Sequence, residues 1–95
     1  MTTPDQPRPD YCRLAYAILS HARMDARDAY EDAEEARQSW GCVVADYVLM
    51  GDERGTQTAA EHFRQARDEA NRLRAEWFDA SDAVRALRGD RLIQR

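Results

Sequence analysis

Residues 43–66, VVADYVLMGDERGTQTAAEHFRQA, contain two helix-forming patterns separated by a short break that is bounded by glycines. Gly51 and Gly55 enclose three charged residues, a composition typical of a loop between helices. Thr58 is followed three positions later by Glu61, which has the form of a capping box at the start of a helix. The stretch therefore predicts a helix, a loop over residues 51–55 and a second helix.

Apolar and small residues continue outward from this loop in steps of three and four, the spacing of a heptad seam on a helix. The upstream seam consists of Cys12, Ala15, Leu19, Ala22, Ala26, Ala29, Ala33, Ala36, Trp40, Val43, Tyr47 and Met50. The downstream seam consists of Ala59, Phe63, Ala66, Ala70, Leu73, Trp77, Ala80, Val84 and Leu87. These patterns predict an all-α fold, an antiparallel two-helix hairpin with a long, alanine-rich coiled-coil seam.

The two seams also fit each other when they are paired about the loop. Antiparallel partners have residue numbers with a constant sum, and for these seams the sum is about 106. This register places Trp40 opposite Ala66 and Trp77 opposite Ala29, so that each large side chain meets a small one. We therefore interpret both tryptophans as packing residues and not as ligand-stacking groups.

The ends of the hairpin are marked by proline and glycine. Three prolines within the first nine positions predict a disordered, Pro-rich arm over residues 1–9. The hairpin is expected over residues 10–89, with helices at about 10–50 and 56–88, Gly89 as the C-terminal cap and a basic tail over residues 90–95. Gly41 falls outside the seam, whose phase continues across it, so we expect one first helix with at most a local bend.

Several apolar residues lie outside the seams, and two helices alone do not enclose a globular core. Segment 42–50 is apolar nearly all round, which is typical of an interface. The sequence therefore favours a homodimer of hairpins that forms a four-helix bundle, with a higher oligomer or a different protein partner as alternatives. The expected interface residues are Cys42, Val44, Val48, Leu49, Leu14, Ile18 and Phe78.

The charged residues that flank the seams differ between the two edges of the hairpin. The acidic edge consists of Asp25, Asp32, Asp46, Glu69 and Glu76, and the basic edge includes Arg23, Arg37, Arg67, Arg74 and Arg88. We expect the unlike edges to help neighbouring hairpins dock. A solvated charged surface is the simpler interpretation of the same pattern.

Tyrosines interleave with the arginines along the basic edge. Since arginine beside tyrosine can hold phosphate and stack on a base, nucleic-acid or nucleotide binding is an alternative function. The residues of this anion-binding edge would be Arg23, Tyr30, Arg37, Arg67, Arg74 and Arg88. The net charge of −4 and the lack of a nucleic-acid fold signature weigh against this alternative.

The composition excludes several other classes of protein. The chain has 95 residues, of which 34% are charged, and this is typical of one small, soluble, mildly acidic domain. We expect a cytoplasmic protein, because no stretch is long and apolar enough for a bilayer and the first nine residues lack a signal-peptide core. Cys12 and Cys42 have no CxxC or CxxH companion, so free thiols are expected and not a disulfide or a zinc site.

No catalytic constellation is evident in the sequence. His21 and Asp25 share a helical face, but no Glu-x-x-His pair, Gly-rich phosphate loop or activated nucleophile is present. We therefore predict no enzymatic activity, no metal-ligating residues and no cofactor. The expected function is that of a self-associating protein-interaction module, which acts as an adaptor, a scaffold or a small protein inhibitor.

One family resemblance concerns size and architecture. Trp40 and Gly41 lie centrally in a chain that is predicted to be a helical hairpin, and Phe78 to Asp82 loosely matches a Tyr-x-x-x-Asp/Glu signal. In these features the chain resembles the WXG100 proteins of type VII secretion systems, although here the tryptophan and the glycine are adjacent. The resemblance implies secretion as an alternative to a cytoplasmic location.

Overall fold

The computed structural model describes the backbone of residues 8–93 and the side chains of residues 13–88. It contains two long helices, α1 over Arg8–Met50 and α2 over Glu53–Ile93, which pack against each other as a hairpin. Residues 1–7 of the expected arm and residues 94–95 of the expected tail lie outside the described residues. The all-helical hairpin expected from the sequence is therefore the fold of the described chain.

The helix ends differ from the expected ones by a few residues. α1 already includes Arg8 and Pro9, which is compatible with proline because the first turn of a helix needs no backbone donor there. α2 begins at Glu53, where a loop was expected, and continues through Gly89 to Ile93. A single helical glycine costs only about 1 kcal/mol relative to alanine, which a long helix tolerates.

The connection between the helices is a tight turn of two residues, Gly51 and Asp52. Gly51 has a φ of 71° and donates its amide to the carbonyl of Val48 at 3.1 Å, while the Asp52 amide donates to the carbonyl of Tyr47 at 3.0 Å. These two bonds form a Schellman motif, which closes α1. Glycine suits this position because the left-handed conformation carries no Cβ penalty there.

Asp52 also starts the second helix. Its Oδ1 accepts a hydrogen bond of 2.9 Å from the amide of Gly55, as an N-cap side chain does. The proposed capping box of Thr58 and Glu61 is therefore wrong, because Asp52 caps the helix six residues earlier and both residues lie inside α2. The sequence signal that identifies the correct cap is the aspartate directly after a C-terminal glycine.

The shorter turn changes the register of the hairpin near the loop. The Trp40 ring stacks on His62 with centroids 4.4 Å apart, one turn from the expected partner Ala66, and a Cβ added at Gly55 would meet the Tyr47 ring. The residue numbers of both pairs sum to 102. A turn centred between residues 51 and 52 imposes a sum near 103, whereas the expected five-residue loop imposed about 106.

The predicted seam of α2 is confirmed, since all nine of its residues are buried or half-buried. The seam of α1 is only partly correct. Ala22, Ala36 and Met50 are exposed, and a second row of residues is half-buried instead: Tyr16, Arg23, Tyr30, Arg37 and Val44. α1 is thus rotated about its axis relative to expectation, because tyrosines, valine and arginine stems bury more apolar area than alanines do.

The core between the helices is thin. Only Ala59, Ala70 and Val84 are buried, and Val84 is the largest fully buried side chain of the described residues. Gly41 lies inside the contact, where the Phe63 ring would be 3.4 Å from an added Cβ, and α1 continues through it without interruption. The expectation that Gly41 lies outside the contact is therefore wrong, because the rotation of α1 brings it towards α2.

The molecule is an elongated single layer, with dimensions of 76 × 25 × 13 Å. Its radius of gyration is 21.4 Å, whereas a compact chain of this length has about 12 Å. It exposes 7481 Å², compared with about 5,600 Å² for a typical folded monomer of 10.9 kDa. The hairpin therefore leaves an excess of surface that a compact fold of the same mass would bury.

Candidate protein interface

A continuous row of exposed residues runs along the side of α1 that faces away from α2. We call this row the outer face of α1; it consists of Leu14, Ile18, His21, Asp25, Asp28, Asp32, Glu35, Ser39, Cys42, Asp46 and Leu49. Successive members are three or four positions apart, so they share one face of the helix. The rotation of α1 creates this face, because it turns the Tyr16 and Tyr30 side towards α2.

Large apolar side chains lie at both ends of the outer face of α1. Leu14 and Ile18 are each 57% exposed at one end, and Leu49 is 85% exposed at the other. Cys42, a free thiol, lies two turns inside the Leu49 end. At a rise of about 1.5 Å per residue, Leu14 and Leu49 are about 52 Å apart. The apolar surface is therefore two separate patches on one helix face.

Between the patches lies a row of four carboxylates, Asp25, Asp28, Asp32 and Glu35, which we call the acidic row. All four are exposed, and each follows the last by three or four positions. None of them has an ion-pair partner among the described residues. Like charges at this spacing destabilise a helix slightly, so the acidic row gives the isolated hairpin no stability.

The corresponding surface of α2 is different. We define the outer face of α2 as Thr58, Glu61, Gln65, Asp68, Arg72, Ala75, Asp79, Asp82 and Ala86, all of which are exposed. It carries no large apolar side chain, and most of its charges are paired within the helix. Arg72 contacts Glu69 at 2.5 Å and Glu76 at 3.0 Å, and Arg64 contacts Glu61 at 2.5 Å. This is the pattern of a solvated helix surface.

The pairing on α2 also affects protonation. The hydrogen bond from Arg72 holds the pKa of Glu69 below its ordinary value of 4.5, with the positive charge of Arg72 as a further cause. On α1, the hydrogen bond from Arg37 likewise lowers the pKa of Glu34. In the expected acidic edge, Glu69 and Glu76 both contact Arg72, whereas Asp25 and Asp32 belong to the unpaired acidic row.

The residues predicted to form an interface separate into three groups. Leu14, Ile18, Cys42 and Leu49 lie on the outer face of α1, and Val48, 58% exposed, lies beside Leu49. Val44 is half-buried against α2. Phe78 is on α2, with its ring 5.3 Å from that of Trp77 and under the guanidinium of Arg74 at 5.1 Å.

Sequence reasoning missed two exposed methionines. Met24 is 55% exposed and lies one turn beyond His21, near the outer face of α1, and Met50, assigned to the seam, is 67% exposed. Met50 is exposed because α1 ends there and the chain turns within two residues. The only sequence signal for Met24 was its apolar character among charged neighbours. Among the residues whose side chains are described, six of the seven exposed large apolar residues are therefore on α1.

The residues of the proposed anion-binding edge contact each other or their neighbours. Arg88 donates a hydrogen bond of 2.6 Å to the Tyr16 hydroxyl, which lowers the pKa of Tyr16, and Tyr30 stacks on Trp77 with centroids 5.6 Å apart. Arg37 pairs with Glu34, Arg67 with Asp68, and Arg74 covers the Phe78 ring. Arg23 is half-buried and lines a cavity of about 250 Å³ between the helices.

These contacts place the basic edge partly inside the hairpin. Arg88 with Tyr16 is a polar bridge between the helices, and the ion pairs of the described residues all join positions within one helix. The two helices are therefore held together by apolar and aromatic contacts. The Tyr30 ring, which was expected to stack on a base, stacks on Trp77 of α2 instead.

Within the described residues, no group of three or more histidine, cysteine, aspartate or glutamate side chains is arranged to hold a metal ion. In the same part of the chain, neither helix contains an apolar window of the length needed to span a bilayer. Comparisons with protein-family models, with curated proteins and with solved structures find no match to this chain.

Proposed function

We propose that this chain is a non-enzymatic protein-interaction module, an adaptor, scaffold or small inhibitor, that binds other helical surfaces through the outer face of α1. The observation that carries the proposal is the concentration of exposed large apolar side chains on α1, which has six of the seven found among residues 13–88; three of the six, Leu14, Ile18 and Leu49, lie on the outer face itself. Exposed apolar patches rimmed by polar residues are typical of a binding face, whereas single exposed apolar residues are not.

The shape of the chain supports the same proposal. The surface exceeds that of a typical monomer of this mass by about 1,900 Å². A standard protein interface buries about 800 Å² on each partner. The excess surface is therefore large enough for a partner to cover the outer face of one helix or of both. Association with a second hairpin would produce a four-helix bundle, and a homodimer is the closed assembly with the fewest chains.

Sedimentation equilibrium of the full chain over a wide concentration range tests the proposal. We expect a mass above that of one chain, 10.9 kDa, at high concentration, and a return to 10.9 kDa when Leu14 and Leu49 are both changed to serine. A particle that stays monomeric at every concentration, and that also binds none of the helical peptides described below, would contradict the proposal.

A further inference from the structure

The outer face of α1 has a charge pattern that opposes pairing with itself. In a twofold symmetric dimer the same surface is used by both copies, so each residue meets either its own copy or a residue reflected about the axis. An antiparallel dimer about the midpoint between residues 31 and 32 brings Leu14 onto Leu49 of the second copy. The same axis passes through the acidic row, where Asp28 faces Glu35 of the second copy and Asp32 faces its own copy, so six carboxylates face one another.

A parallel dimer through this face has the same defect, since Asp25, Asp28, Asp32 and Glu35 each meet their own copies. Like charges placed opposite each other at an interface oppose association and shift the preference to other partners. The apolar ends of the face therefore allow self-association at high concentration, while its acidic centre makes a second copy of this chain a weaker partner than a helix with a basic centre.

The outer face of α2 of a second copy does not supply a better match. The arginine of this face, Arg72, already contacts Glu69 and Glu76 of its own helix. The face has no large apolar side chain to cover Leu14, Ile18 or Leu49. A copy docked in this way would leave both apolar patches exposed to water.

We infer that the preferred occupant of the outer face of α1 is a helix of a different protein, with apolar residues towards both ends and arginine or lysine between them. This inference rests on the proposed function and names the kind of partner. Such a helix covers Leu14 and Ile18 at one end and Leu49 at the other, and its basic centre lies against the acidic row. A helix of about 36 residues spans the face.

The partner helix completes what the hairpin lacks. Its cations pair with Asp25, Asp28, Asp32 and Glu35, which have no ion-pair partner among the described residues. The apolar ends supply most of the affinity, because burial of a leucine is worth more than an exposed ion pair. The charges at the centre select the partner and make its binding dependent on salt.

Three synthetic helical peptides of about 36 residues test the inference with the full chain, with binding followed by fluorescence anisotropy. The first has leucine at both ends and an arginine centre, the second has the same ends and a glutamate centre, and the third has serine ends and an arginine centre. Their helicity is matched by circular dichroism. We expect the first to bind at least about tenfold more tightly than either other peptide, and added salt to reduce its advantage over the second.

Paired variants of the chain locate the binding. Asp28→Asn with Asp32→Asn is expected to weaken binding of the first peptide several-fold. Glu69→Gln with Glu76→Gln, which removes the same charge from α2, is expected to leave it unchanged. The two double variants have the same net charge as each other, because each removes two carboxylates. A general attraction of a basic peptide to an acidic protein would therefore weaken equally in both.

Three results would overturn the inference. Equal affinity for the arginine-centred and glutamate-centred peptides means that the acidic row does not select the partner, and an equal loss in both double variants means that the peptide is not bound at α1. If no peptide binds while the chain still associates through Leu14 and Leu49, the inference fails and the proposed function stands.

Discussion

α1 and α2 are nearly equal in length, at 43 and 41 residues, and they pack against each other along their inner faces. Their outer faces nevertheless differ in the side chains that they expose. On α2, glutamates and arginines one turn apart neutralise each other, and no large apolar side chain lies among them. On α1, apolar residues lie at both ends of a row of unpaired carboxylates. The outer face of α2 has the pattern of a solvated helix surface, whereas that of α1 exposes large apolar side chains and is the face through which we propose that the chain binds.

The largest expected effect comes from removing the apolar ends of the outer face of α1. Leu14→Ser combined with Leu49→Ser should weaken association at least about a hundredfold, since each exposed leucine that becomes buried contributes roughly 1.5–3 kcal/mol. The matched change on α2, Ala75→Ser with Ala86→Ser, should leave association unchanged. Sedimentation equilibrium measures both. Equal effects of the two double variants would show that α1 is not the binding face.

Substitutions of two valines compare the contact between the helices with the exposed surface of α1. Val84 is 1% exposed, and Val84→Ala should lower the free energy of unfolding by roughly 2 kcal/mol through lost apolar contact and a residual cavity. Val48→Ala, at an exposed position of α1, should change the stability of the monomer by less than about 0.5 kcal/mol. Urea denaturation at low concentration measures both values. Similar losses would mean that Val48 packs inside the hairpin.

Two glycines, one in each helix, should respond in opposite directions to alanine. A Cβ at Gly55 would lie 2.5 Å from the Tyr47 ring and 2.9 Å from the Asp52 carboxylate, so Gly55→Ala should cost roughly 1–3 kcal/mol. A Cβ at Gly41 would lie 3.4 Å from the Phe63 ring, an ordinary contact, so Gly41→Ala should gain up to about 1 kcal/mol of helix stability. Thermal unfolding distinguishes a fall in Tm from a rise.

The control for the Gly55→Ala substitution is a change at Tyr47, which lies opposite Gly55 across the turn. If the ring of Tyr47 is the cause, Gly55→Ala should cost less in a Tyr47→Leu background than in the unmodified chain. A cost that is the same in both backgrounds would assign the effect to the Asp52 cap instead, and the close packing of the ring would not be needed to explain Gly55.

The smallest expected effects concern the charges. Asp28→Asn with Asp32→Asn should raise the Tm slightly, because it removes repulsion between neighbours on α1. Glu69→Gln should lower it slightly, because it removes the contact with Arg72 on α2. Both substitutions conserve shape and change helix propensity little. Two shifts of the same sign would remove the distinction between paired and unpaired carboxylates.

The pH dependence provides a check on the Glu69 result. Because the hydrogen bond from Arg72 lowers the pKa of Glu69 in the folded chain, the carboxylate stabilises folding above its ordinary value of 4.5. This contribution is lost as the pH falls through the lowered pKa of the folded state. The difference in Tm between the unmodified chain and Glu69→Gln should therefore shrink in acid, and a difference that grows there would contradict the assignment.

The sequence was sufficient for the fold and for the inner side of α2. Heptad spacing identifies a contact face when one row of residues is clearly more apolar than its neighbours, as it is for Phe63, Leu73 and Trp77. In α1 the alanine row competes with a row that contains Tyr16, Tyr30 and Val44. Spacing alone does not decide between two rows that are offset by one residue, less than a third of a turn, and the larger side chains determined the rotation.

The turn could not be located for a related reason. Gly51 and Gly55 are equivalent as loop signals, but of the two only Gly51 adopts a positive φ. Gly55 lies inside α2, where the Tyr47 ring leaves no room for a Cβ. The acidic row was likewise not recognised as one group from the sequence, because only Asp25 and Asp32 were assigned to the acidic edge. Its position on the outer face follows from the rotation of α1, which no local pattern specifies.

The most direct test of the central claim is the reactivity of two thiols, one on each outer face. Cys42 supplies the first, and Gln65→Cys supplies the second in a chain that carries Cys42→Ser, with Cys12→Ser in both chains. Alkylation rates are measured as protein concentration or the arginine-centred peptide is increased. The account predicts that alkylation of Cys42 slows while that of the thiol on α2 does not. Equal slowing of both thiols, or slowing on α2 alone, would contradict it.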